Sequence, residues 1–182
     1  MRWHTLSDRK CIIVVPTTSL VEQMYSDFED YSSNNGWSVP ENCQKLYSGF
    51  TRDISKSVLI TTWQSIYTQP KAWFEQFDVI FGDEAHQFKA TSLVTIMERM
   101  QHVKYRIGTT GTLDNKKLNQ LTLEGLFGQV HKVITTKELM NTGKVVPIDI
   151  NCLVLKYDDE TKKRCKEHTY QEEMDFLIQN QA

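Results

Sequence analysis

Short continuous apolar runs alternate along this chain with segments of helical periodicity, and that alternation restricts it to an α/β fold around a mostly parallel sheet. Cys11-Ile12-Ile13-Val14-Val15 carries no polar side chain on either face, as a strand covered on both sides requires. Pro16-Thr17-Thr18 breaks the run. From Ser19 onward Leu20, Val21, Met24, Phe28 and Tyr31 recur at helical spacing, with Thr17 or Thr18 as N-cap and Asn34-Asn35-Gly36 as the stop. Further strands are expected over 44–47, 57–61, 78–81, 105–108 and 130–134, with an extended stretch over 148–155. Helical segments are expected over 62–67 (stopped by Pro70), 92–100, 117–126 and 137–140, and along the charged tail, 158–182.

At 182 residues the chain is long enough for one domain with a sizeable core. No apolar run reaches the roughly 18 residues that a membrane helix needs. The polar first ten residues lack the apolar core of a signal peptide, so an intracellular (cytoplasmic) location is expected. Cys11, Cys43, Cys152 and Cys165 are scattered, as suits reduced thiols better than a disulfide framework or a zinc site. His102, His131 and His168 show no metal-ligand spacing either. A net charge of -2 excludes a broad basic footprint, so any nucleic-acid contact must be local.

The run Asp78-Val79-Ile80-Phe81 leads straight into Gly82-Asp83-Glu84-Ala85-His86. Ligands of open α/β sheets bind at the carboxyl ends of the strands, and two adjacent carboxylates there can divide two tasks. One can hold Mg²⁺ while the other orients and deprotonates an attacking water. Thr17 and Thr18 stand where a strand meets a helix N-terminus. That corner can bind one backbone phosphate, or the hydroxyls can simply cap the helix. Thr61, Thr62 and Gln64 pose the same choice at a second strand end. Trp63, followed by Ile66, reads as core packing rather than a base-stacking platform. Thr110 and Thr112 flank Gly111 in a turn after the strand at 105–108.

Several of these segments together resemble the first motor domain of superfamily 2 helicases. Asp83-Glu84-Ala85-His86 is similar to motif II, the Walker B element, and Val14-Val15-Pro16-Thr17-Thr18-Ser19-Leu20 to motif Ia. Leu59-Ile60-Thr61-Thr62-Trp63-Gln64 is similar to motif Ib, and Gly108-Thr109-Thr110-Gly111-Thr112 to motif III, where the family more often has Ser-Ala-Thr or Thr-Ala-Thr. The likeness spans residues 11–147 and leans toward the recombination helicases of T-even phages. It implies an incomplete RecA-like (P-loop NTPase-type) fold, ATP and Mg²⁺ as cofactors of the complete protein, and DNA, single-stranded or branched, as partner. It also implies strand contacts from Pro16, Thr17, Thr18, Thr61, Thr62 and Gln64. On this likeness Asp83, Glu84, His86, Thr110 and Thr112 form the catalytic set: Asp83 holds the Mg²⁺ of Mg-ATP through water, Glu84 activates the attacking water, His86 bridges to motif III, and Thr110 and Thr112 relay the site's state.

No Gly-x-x-x-x-Gly-Lys-Ser/Thr phosphate loop occurs in the sequence. Residues 1–147 therefore read as a partial motor domain, and 148–182 as an extended segment and helical linker toward an absent second lobe. The expectation is a fragment inactive alone, holding no cofactor tightly, with an apolar sheet edge prone to self-association. The alternatives are a non-catalytic nucleic-acid-binding module, an RNA helicase, a restriction-enzyme motor subunit, or an unrelated metal-dependent hydrolase using the same acids.

Overall fold

A computed structural model describes residues 9–34, 36–49, 53–113, 117–146, 151, 156, 158–166 and 169–179. The chain divides into two compact units, Met1–His131 and Lys132–Ala182.

Unit one is built on a parallel sheet of five strands: β1 (Cys11–Val15), β2 (Cys43–Leu46), β3 (Val58–Thr62), β4 (Val79–Gly82) and β5 (Tyr105–Gly108). Their order across the sheet is β2-β3-β1-β4-β5. β1 lies at the centre, which is why its sequence is apolar on both faces. Ile12 and Val14 join one core cluster, Ile13 and Val15 the other. Helix α1 (Thr18–Ser32) contributes Val21, Leu20, Met24 and Phe28 to the cluster with Ile13 and Val15. Thr17 is its N-cap, accepting the Leu20 N–H at 3.3 Å, and Gly36 supplies a left-handed turn just beyond its end.

The opposite face is covered by α3 (Trp63–Ile66), α4 (Lys71–Phe74), a 3₁₀ turn (Ala85–Lys89), α5 (Thr91–Arg99) and α6 (Lys117–Phe127), with α2 (Val39–Asn42) preceding β2. They bury Ile66, Phe74, Phe88, Leu93, Ile96, Met97 and Leu123 with Ile12 and Ile80. Gly82 and Gly108 are requirements of this packing. A Cβ on Gly82 would meet the Phe88 ring at 2.7 Å, and one on Gly108 would meet the Ala85 Cβ at 2.9 Å.

Unit two, within the described residues, holds α7 (Thr136–Asn141), α8 (Asp159–Cys165) and α9 (Tyr170–Gln179). α7 opens with a complete capping box between Thr135 and Glu138. The strand expected over 130–134 does not form: the segment has no regular secondary structure, and Val133 is 92% exposed. The extended stretch expected over 148–155 lies outside the described residues, apart from Asn151. Among the described residues no helix is long and apolar enough to cross a membrane.

Candidate functional site

Because every strand pair is parallel and closely in register, the five carboxyl ends fall along one edge of the sheet. Val15 is level with Thr62, Val14 with Gly82, and Gly82 with Gly108. From β1 the chain goes to β2 and β3 on one side, then to β4 on the other. The β1–β4 crevice is therefore a switch point in strand order, where open α/β sheets bind ligands. Asp83 emerges there, its N–H donating to the Val14 carbonyl at 3.0 Å.

Glu84 is the one described non-glycine residue with a left-handed backbone, at φ 49° and ψ 51°. Such a conformation costs about 1–3 kcal/mol and persists only where neighbours over-determine it. Here they do: Asp83 N–H is held by Val14, and Ala85 N–H donates to the Thr109 carbonyl at 2.8 Å. The bend turns the Glu84 carboxylate toward His86 and Thr110. His86 Nδ1 lies 3.1 Å from Glu84 Oε2, 2.9 Å from Thr110 Oγ1 and 3.5 Å from Thr112 Oγ1. Thr110 Oγ1 is itself 3.3 Å from Glu84 Oε2. A carboxylate only accepts, so the His86 contact requires a proton on Nδ1. His86 and Glu84 side chains are 28% and 40% exposed, so water and a ligand can reach both. The structure thus joins Glu84, His86, Thr110 and Thr112 in one hydrogen-bonded patch at the ends of β4 and β5, with Asp83 next to it in the same turn and bonded to Thr109.

The β1–β3 half of the edge is different. Thr17 and Thr18 are exposed at the start of α1, beside half-buried Pro16. Thr61 and Thr62 are buried, and their hydroxyls are engaged inside the protein. Thr61 Oγ1 donates to the Leu46 carbonyl at 2.8 Å, and Thr62 Oγ1 is 2.9 Å from Ser65 Oγ. Neither hydroxyl faces solvent, so of the Thr61, Thr62 and Gln64 group only the Gln64 side chain is exposed. Trp63 is half-buried against the core, with Tyr67 edge-on at 5.9 Å.

Two features went unread in the sequence. Thr109 donates its hydroxyl to Asp83 Oδ1 at 3.0 Å, signalled only by a run of two threonines after a strand. Lys45, a cation near this edge, is 2.7 Å from Glu22, which also accepts the Tyr47 hydroxyl. The hydrogen bonds from Lys45 and then Tyr47 hold the Glu22 carboxyl below its ordinary range. No i-to-j spacing rule links residues 22, 45 and 47.

Among the described residues no group of three or more His, Cys, Asp or Glu could hold a metal ion. A lone carboxylate suits Mg²⁺, which is commonly bound by one or two carboxylates together with substrate phosphates. Cys11 and Cys43 are free thiols, both pushed up to about 12, chiefly by burial.

A family model described as "Type III restriction enzyme, res subunit" (ResIII) matches residues 2–115. Over 172 residues the chain is 34% identical to the ATP-dependent DNA helicase uvsW of Enterobacteria phage T4, covering 92% of this chain and 34% of that protein. It thus spans about a third of the length of that curated relative. The crystal structure of T4 UvsW superposes with a TM-score of 0.61 at 32% identity, covering 97% of this chain and 34% of that one. The Hef helicase domain of Pyrococcus furiosus shares the fold at a TM-score of 0.57 and 18% identity, covering 71% of this chain and 30% of that one.

Proposed function

The chain belongs to the ResIII family of superfamily 2 helicase motor domains, and on that premise we propose that it forms the water-activating and strand-gripping part of an ATP-dependent DNA helicase. The observation that carries this reading is the hydrogen-bonded union of residues 83–86 with residues 109–112 at a switch point of the sheet. Asp83 takes the metal side and Glu84 the water side. Mg²⁺, when bound with a nucleotide, supplies charge neutralisation at the phosphate oxygens. Glu84 accepts the proton of the attacking water, a role that needs a carboxylate reachable by solvent and held in one orientation. His86 and Thr110 hold it there. Because both also touch or precede Thr112, a change at Glu84 is felt along residues 110–112.

Thr17, Thr18 and Gln64 grip two backbone phosphates through hydroxyl, amide and main-chain N–H groups, with Pro16 shaping the first corner and buried Thr61 and Thr62 fixing the second from behind. Contacts of this kind read no bases, as movement along any sequence requires. The partner is single-stranded or branched DNA in an intracellular setting. Residues 1–147 act as the partial motor domain and 148–182 as the link toward a second lobe.

With no phosphate loop in its sequence, the chain binds ATP weakly and is inactive alone. Neither it nor a Glu84→Gln variant is expected to hydrolyse ATP, with or without DNA. Joined to an upstream phosphate-loop segment it should gain DNA-stimulated hydrolysis, which Glu84→Gln lowers by about 10²-fold or more. A joined protein in which Glu84→Gln hydrolyses ATP as fast as its parent would sink the assignment.

A further inference from the structure

We propose that Thr109 is the positioning residue for Asp83, so that two adjacent threonines hold two adjacent acids, each for a different task. The proposal rests on the motor-site reading above. Thr109 fastens the acidic turn at three points. Its N–H donates to the Gly82 carbonyl at 2.9 Å, its carbonyl accepts the Ala85 N–H at 2.8 Å, and its hydroxyl donates to Asp83 Oδ1 at 3.0 Å. Any residue but proline supplies the first two bonds; the third needs the hydroxyl. Thr110 cannot stand in, because its own hydroxyl lies 2.9 Å from His86 and 3.3 Å from Glu84.

Asp83 is half-exposed and its side chain is otherwise unconstrained by core packing. An aspartate has three staggered χ1 wells, and the Thr109 bond selects one. One bond at Oδ1 leaves the second oxygen to face a cation or its bound water. Mg²⁺ tolerates little departure from octahedral geometry, so a carboxylate held in one well is a better ligand than one that samples three.

The test uses Mn²⁺ alone, titrated into the ¹⁵N-labelled chain, with paramagnetic broadening read at the Asp83 and Glu84 amides. Thr109→Val keeps the β-branched shape and both main-chain bonds but loses the hydroxyl, and Thr109→Ser keeps the hydroxyl. Thr109→Val should need about threefold more Mn²⁺ for half-broadening, one well having become three, while Thr109→Ser overlays the parent. Amide positions away from the turn should match in all three proteins, and Thr109→Ala serves as a second hydroxyl-free variant. Broadening of a folded hydroxyl-free variant at the parent's Mn²⁺ concentration overturns the positioning role. Absence of broadening at Asp83 in the parent, or broadening that survives Asp83→Asn, overturns the motor-site reading and the role of Thr109 with it.

Discussion

At the scale of single residues, Gly82 and Glu84 show how closely the acidic turn is built. Gly82 ends a strand with Phe88 and Phe127 rings where a side chain would stand, and Phe88 is fully enclosed. Gly82→Ala forces these rings apart and should destabilise unit one by about 1–3 kcal/mol in urea unfolding, as overpacking commonly does. An unchanged midpoint would mean that the rings yield freely. Glu84, two residues on, occupies a left-handed conformation that few non-glycine residues adopt. The sequence made the two acids legible because they follow a buried strand. It could not reveal the backbone bend, which depends on Val14 and Thr109 from other strands. The burial of the Thr61 and Thr62 hydroxyls is hidden from the sequence for a related reason. Their type suggests solvent, but Thr61 faces the Leu46 carbonyl of a neighbouring strand that local pattern does not identify.

At the scale of elements, what the sequence made plain were segments whose environment is uniform along their length. β1 is enclosed on both faces and reads as unbroken Ile and Val; α5 buries Leu93, Ile96 and Met97 at helical spacing. The failure over 130–134 came from apolar residues without a partner strand, since a strand is a property of a pair. Pro70 reads as a stop after residues 62–67, yet proline also suits a helix entry, and here it is the N-cap of α4. Helix α1 carries a prediction of its own. Thr17 caps it through the Leu20 N–H. Thr17→Ala should therefore cost about 1 kcal/mol of stability and Thr17→Ser very little. Equal unfolding midpoints for parent and Thr17→Ala would show that the cap bond adds nothing.

At the scale of the whole molecule, the described sheet has two edge strands, β2 and β5. Among the described residues β5 pairs only with β4, and its Ile107 is 46% exposed. An edge strand that carries an exposed apolar side chain invites pairing with another copy. The chain should self-associate as its concentration rises in sedimentation velocity. Ile107→Lys, a charge on that edge, should shift the population to monomer; a parent that stays monomeric at high concentration would refute the open-edge account. In the proposed function, the opposite half of the sheet's carboxyl edge is the part assigned to gripping DNA. With Lys45 paired to Glu22, that grip relies on neutral donors, so binding should depend only mildly on salt. The most direct test of the account is therefore anisotropy of a labelled single-stranded oligonucleotide with this chain across a salt series. Two phosphate contacts made by neutral donors release no counterions, so they predict weak binding with a log–log salt slope of about 0, further weakened in a Thr18→Ala/Gln64→Ala double variant. Failure to bind at low salt, or binding that the double variant leaves unchanged, would contradict the strand-gripping role.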